Sequence, residues 1–136
     1  MADDPSDPGT GIDPRIQDIA QRVFDAARAG DADTLAAYLD AGVPVNLTNG
    51  TGDTLVMLAA YHGHPVAVQV LVDHGADVDR LNDRGQSPLA GAVFKGEEEV
   101  VRILSGAGAD PRRGHPTAAD AAVMFGRDDY LQLWQR

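Results

Sequence analysis

Few side chains in this chain could do chemistry, and their spacing decides against most of it. His62 and His64 flank Gly63, and two histidines at i and i+2 can meet one metal ion. The chain has no cysteine and fixes no carboxylate beside that pair, whereas a structural zinc site closes on four ligands. His74 and His115 stand elsewhere, so no metal site is expected. Glu97, Glu98 and Glu99 form a run of carboxylates at the start of a helix, where negative charge complements the macrodipole without any cation. Ser6, Ser87 and Ser105 fall in the N-terminal tail, at a helix cap and at a helix end, with no nucleophile elbow. Ser105-Gly106-Ala107-Gly108 is glycine-rich, but it follows a helix and lacks the lysine of a phosphate loop. Asn46-Leu47-Thr48 matches a glycosylation acceptor, a chance match in a chain with no secretory signal. No catalytic residue and no cofactor is assigned, and an enzyme is not expected.

The elements that would position any site follow a repeat. Gly52 recurs as Gly85, Gly63 as Gly96, and Gly75-Ala76-Asp77 as Gly108-Ala109-Asp110, each 33 residues on. A fixed period of that length marks an array of helical repeats. In the first unit Ile16, Ile19, Ala20, Val23 and Phe24 form a one-sided stripe that Gly30 ends. Leu35, Tyr38 and Leu39 follow on an outer helix. Gln17, Asp18, Gln21, Arg22 and Asp25 give this terminal unit the wet face it needs. In the second unit Thr54 caps an inner helix carrying Leu55, Leu58, Ala59 and Ala60. Pro65 then opens an outer helix whose buried side is expected at Val68, Val70, Leu71 and Val72.

The third unit starts at Ser87-Pro88, with Leu89, Ala92 and Val93 inside and Val101, Ile103 and Leu104 under its outer helix. The fourth is shortened: Thr117 lies 30 residues after Ser87 and Gly126 30 after Gly96. Ala118, Ala119, Ala121 and Ala122 make its inner helix, and Asp128, Tyr130, Leu131, Leu133 and Trp134 its outer one. Trp134 aligns with Leu71 and Leu104, so it is expected to plug the last core layer.

From about Asp13 to Trp134 the chain resembles an ankyrin-repeat protein, of the small bacterial cytoplasmic kind. The line from Thr54-Leu55-Val56-Met57-Leu58 through Ala59-Ala60-Tyr61-His62-Gly63-His64 matches the family's Thr-Pro-Leu-His-x-Ala-Ala-x-x-Gly-His at most places. Ser87-Pro88-Leu89 and Thr117-Ala118-Ala119 repeat its opening. The resemblance implies an all-α solenoid of four helix-turn-helix repeats, two full and two capping, joined by hairpin-like loops. Residues 1–12 are expected to be a disordered acidic tail, and 13–136 the repeat domain, with units at about 13–46, 47–79, 80–112 and 113–136. The chain departs from the family at its histidine, which is Met57, Ala90 and Asp120 here, and at Gly91, which replaces a usual leucine. The histidine loss removes a staple between neighbouring repeats, so a less rigid array is expected.

The family binds other proteins through the finger-like loop tips and the exposed side of the inner helices. Carried onto this chain, that surface is Thr48, Gly50, Thr51, Asp53, Tyr61 and His62 in the second repeat. It continues over Arg80, Leu81, Asp83, Arg84, Gln86, Phe94 and Lys95 in the third. Arg28 extends it at one end, and Met124 and Phe125 at the other, with Arg112, Arg113 and His115 in the shortened finger. Tyr61, Phe94 and Phe125 are expected to form an aromatic ladder, and aromatic residues and arginine are enriched in binding hot spots. Arg80, Arg84, Lys95, Arg112 and Arg113 fall on this side, and Glu97 to Glu99 on the opposite one, so a partner with an acidic and apolar patch fits.

Bulk composition narrows the classes further. At 136 residues, with 43% apolar and 24% charged residues, the chain reads as one ordinary soluble domain. Its net charge of −10, of which Asp3, Asp4, Asp7 and Asp13 supply the N-terminal share, argues against nonspecific nucleic-acid binding. No window is apolar enough for a membrane helix, and the N-terminus shows no basic n-region followed by an apolar h-region. A cytoplasmic monomer is therefore expected. Ten arginines beside one lysine suit a high-GC bacterial source. The expected function is a non-enzymatic adaptor or regulator whose partner is another protein. A small acidic protein also suits an immunity-type inhibitor of a basic toxin or enzyme, acting through its outer acidic face or tail. A cofactor-free enzyme would need a closed pocket around a perturbed acid or base.

Overall fold

Residues 14–135 are described in a computed structural model of the chain, and they form eight α-helices. The expected disordered tail lies outside the described residues. Helix α1 (Pro14–Ala29) opens the array, and side chains cap the first turn of four of the other seven, the rest starting on proline or acidic residues. Asp31 accepts from the Thr34 amide at 3.2 Å to start α2 (Ala32–Asp40), and Thr54 from the Met57 amide at 3.2 Å to start α3 (Leu55–Tyr61). α4 (Pro65–Asp73) begins on a proline, which has no amide to satisfy. Ser87 accepts from the Ala90 amide at 3.1 Å ahead of α5 (Pro88–Lys95). α6 (Glu98–Gly106) opens on Glu98 and Glu99, which face the positive end of its dipole. Thr117 accepts from the Asp120 amide at 3.0 Å ahead of α7 (Ala118–Met124), and α8 (Asp128–Leu133) opens on Asp128 and Asp129.

Helices α1, α3, α5 and α7 lie side by side as an inner layer, and α2, α4 and α6 form the outer one. Each inner helix also packs on the outer helix that follows it, which gives the solenoid of four two-helix units. The loops between units fold back as hairpin-like fingers. The Asn49 amide donates to the Asp53 carbonyl at 3.0 Å with Thr48 bridged to Thr54, and the Asn82 amide donates to the Gln86 carbonyl at 3.0 Å one unit on. Leu35, Leu55, Leu71, Leu89 and Leu104 are wholly buried between the layers, each contributing about 1.5–3 kcal/mol. Ala27, Ala59, Ala60, Ala92 and Ala122 are equally buried and let the inner helices approach closely.

Four core assignments change. Ile16 and Ile19 are exposed, because α1 is 16 residues long while its neighbour α3 has 7, leaving the first turns of α1 without a covering helix. On α4 the buried side is Ala67, Val68 and Leu71, with Val70 and Val72 only partly covered. On α6 Val100 is buried and Ile103 only partly so. The last core layer is filled by Tyr130, 1% exposed, and not by Trp134. α8 ends at Leu133, so Trp134 is its C-cap; there its ring stacks on Tyr130 at 5.8 Å and its Nε1 donates to Ser105 Oγ at 2.9 Å.

Hydrogen bonds staple neighbouring units together. Asn46 Oδ1 accepts from the Asp77 amide at 2.8 Å, and Asp79 Oδ1 from the Asp110 amide at 2.7 Å. The Asp83 amide donates to the Thr51 carbonyl at 3.1 Å, and the His115 amide to the Gly85 carbonyl at 2.9 Å. His64 Nε2 lies 2.7 Å from the Arg28 carbonyl, a reach possible because Gly30 has no Cβ where the imidazole sits.

Candidate functional site

The fingers and the exposed side of the inner helices enclose one groove. Its larger part, about 210 Å³, lies between the first and second fingers, with Thr51, Asp53, Tyr61, Arg84 and Gln86 on its walls and Met57 and Leu58 in its floor. A smaller notch of about 50 Å³ continues from it across α5, bounded by Tyr61, Phe94 and Pro116 over a floor of Met57, Ala90 and Gly91. The two share Met57, Tyr61 and Gln86.

Side-chain amides hold the finger tips in shape. Asn49 Oδ1 accepts from the Thr51 and Asp53 amides at 3.0 and 2.9 Å. Asn82 Oδ1 accepts from the Arg84 and Gln86 amides, both at 3.0 Å. Asn82 Nδ2 donates to Asp53 Oδ1 at 2.9 Å, and Thr51 Oγ1 donates to Asp53 Oδ2 at 2.8 Å. The Asp53 carboxylate is thus held inside the loop framework, while the Arg84 side chain extends from it.

The aromatic residues are presented, not packed away: Tyr61 is 45% exposed, Phe94 53% and Phe125 47%. The expected ladder is complete on one side only. Phe94 and Phe125 meet at 5.4 Å, whereas Tyr61 and Phe94 stand on either side of the notch at Gly91. Lys95 Nζ lies 4.8 Å over the Tyr61 ring, a cation–π contact at the rim. Met124 and Val123 extend the exposed apolar surface beside Phe125.

The cations divide into those paired within the chain and those left without a carboxylate. Arg22 pairs with Asp18, Arg28 with Asp25, Arg102 with Glu98, and Arg127 with Glu98 and Asp129. Arg80, Arg84, Lys95, Arg112 and Arg113 have no carboxylate partner among the described residues. Arg113 instead reaches the Asp79 carbonyl, at 3.4 Å. The Asp129 carboxyl titrates below its ordinary value, chiefly because it accepts from Arg127.

Of the residues expected at a partner surface, the groove gathers Thr51, Asp53, Tyr61, Arg84, Gln86 and Phe94, with Lys95 at its rim. Arg28 is at the far end of α1, bonded to Asp25 through its side chain and to His64 through its carbonyl. His62 sets its ring edge-on to Tyr61 at 5.5 Å, outside the groove. Leu81 is half-buried beside Gly114, under the next finger. Arg80, Arg112 and Arg113 are exposed on fingers outside the groove lining. Met57, Ala90 and Gly91 were not expected there. Their signal was readable: Met57-Leu58 of one unit becomes Ala90-Gly91 in the next, and that loss of bulk opens the notch. His64 staples two units through the Arg28 carbonyl, and no cluster of three metal-ligand side chains occurs among the described residues. Nor is any helix there long and apolar enough to cross a membrane.

Two-helix units stacked at a fixed period, with hairpin-like fingers along one edge, define a helical-repeat solenoid. The chain belongs to the ankyrin-repeat family: the family's sequence profile for ankyrin repeats in three copies matches residues 23–115, more than half of its length. A Pseudomonas aeruginosa protein named as an ankyrin repeat protein is 45% identical over 63 residues, which cover 46% of this chain and 37% of that relative. Ankyrin repeats serve generally as protein–protein interaction modules.

Proposed function

We propose that this chain is a non-enzymatic adaptor or regulator of a bacterial cytoplasm, acting as a monomer whose 13–136 domain binds a partner protein through the groove and its flanking fingers. One observation carries this reading: the exposed Tyr61 and Phe94 border the groove together with Arg84, with Lys95 at its rim, and neither cation has a carboxylate partner among the described residues, whereas Arg22, Arg28, Arg102 and Arg127 are paired within the chain. Unpaired cations beside exposed aromatic surface are the ingredients of interface hot spots and of electrostatic steering. In this reading Tyr61, Phe94 and Phe125 supply apolar contact, and Arg80, Arg84, Lys95, Arg112 and Arg113 supply charge.

The test is a pull-down from lysate of the source cells with two baits. One is the intact protein; the other carries Arg80, Arg84, Arg112 and Arg113 changed to Glu, and Phe94 changed to Ala. A partner caught by the first bait and lost from the second supports the finger face. Equal capture by both would transfer binding to the acidic outer face and favour the immunity-type inhibitor.

A further inference from the structure

We infer that the groove takes an extended acidic segment of its partner, anchored by one branched aliphatic side chain in the notch over Gly91. The inference rests on the proposed finger-face binding and specifies its chemistry. The notch exists because Gly91 stands where Leu58 stands one unit earlier, and Ala90 where Met57 does. Its volume of about 50 Å³ suits a side chain of the size of valine or leucine, and it is bounded by Tyr61 and Phe94 with the Met57 sulfur close by. A Cβ on Gly91 would lie 3.7 Å from the Tyr61 ring and 4.0 Å from Met57 Sδ, so an incoming methyl group finds ordinary van der Waals contact at that spot.

Charge complementarity names the rest of the occupant. Arg84 lines the wider part of the groove and Lys95 stands at the rim of the notch, both without a carboxylate partner among the described residues. The carboxylate that also lines the groove, Asp53, already accepts from Asn82 and Thr51. A segment with Asp or Glu on either side of the anchor would set its carboxylates against Arg84 and Lys95. The finger amides named above are spent on Asn49 and Asn82, so side chains, not backbone pairing, would give the affinity.

The test uses the intact protein to select from a displayed library of random short peptides, followed by fluorescence anisotropy on the enriched sequences. Enriched peptides should share Val, Leu or Ile flanked by Asp or Glu. Gly91→Leu should weaken them by roughly tenfold or more, the loss expected of one anchor, while melting no lower than the parent. A full-length Arg84→Glu, Lys95→Glu variant should lose them at low salt. Basic or uniformly polar winners, an absence of enrichment, or unchanged binding to Gly91→Leu would overturn the inference. So would roughly tenfold tighter binding once Asp3, Asp4, Asp7 and Asp13 are changed to Asn, which would give the groove to the chain's own acidic segment. A dimer that Gly91→Leu dissolves would give it to a second copy. If the native partner still distinguishes the two pull-down baits yet binds Gly91→Leu normally, the notch assignment fails and the finger-face reading stands.

Discussion

Gly91→Ala should make the protein more stable, an uncommon direction for a change inside a helix that lines a candidate site. Gly91 lies within α5, where its amide donates to the Ser87 carbonyl at 3.1 Å, so its backbone is already committed to the helix. Glycine in such a place costs about 0.8–1.0 kcal/mol relative to alanine, through the freedom it loses on folding. The new methyl group would rest 3.7 Å from Tyr61 Cδ1 and 4.0 Å from Met57 Sδ, with nothing to push aside. Half-burying it adds up to about 0.4 kcal/mol, for a total of roughly 1–1.5 kcal/mol. At this chain length that is a rise in Tm of about 4–6 °C. Thermal melts by far-UV circular dichroism and urea titration would read it, the latter as a higher midpoint at unchanged slope. A Tm equal to or below the parent's would refute the reasoning, because it would mean that the helix or the space over Gly91 is not as described.

Three further outcomes follow from other parts of the fold. Gly114→Ala should destabilise by about 2–3 kcal/mol, since its φ of +88° suits glycine and a Cβ would sit 2.9 Å from the Gly85 carbonyl oxygen; urea titration reads the loss. Tyr130→Phe should leave stability unchanged or raise it by up to about 1 kcal/mol, because the buried Tyr130 hydroxyl has no hydrogen-bond partner among the described residues; the same titration checks this. The His74 imidazole titrates above its ordinary value near 6.5, chiefly through Asp40 Oδ1 at 2.9 Å and then the Val70 carbonyl. A raised folded-state pKa stabilises fully below the unfolded value and fades as pH rises through the folded one. Stability should therefore fall slightly from about pH 6.5 upward, and Asp40→Asn should flatten that dependence in melts taken across the range.

The repeat was legible because its punctuation is local. Thr54, Ser87 and Thr117 act on amides three residues away, and Gly30 and Gly63 end their helices within one turn. The core partners of α8 were less legible, because they depend on how many turns the helix completes. Aligned by period, Trp134 belongs with Leu71 and Leu104; the helix stops one residue short, and the bulk of Tyr130 fills the layer from the place of Ala67 and Val100. Ile16 and Ile19 show the same limit: periodicity gives a face, but only the length of the neighbouring helix says whether that face is covered. The aromatics and cations of the groove were visible as types in the sequence, whereas the notch is an absence of side chain, seen only when units are compared position by position.

The staples between units give the array a direction. Asn46 and Asp79 stand at the same place of successive units, and the Asp77 and Asp110 amides they bind stand 33 residues apart as well. Each unit thus offers an acceptor to its successor and a donor to its predecessor, like the two ends of a coupling. A duplicate of residues 47–79 spliced in at its own boundary would bring both ends with it and dock without new design. The length of the groove, and with it the length of segment it can read, is therefore a variable that unit number sets and that evolution or engineering can lengthen in whole steps.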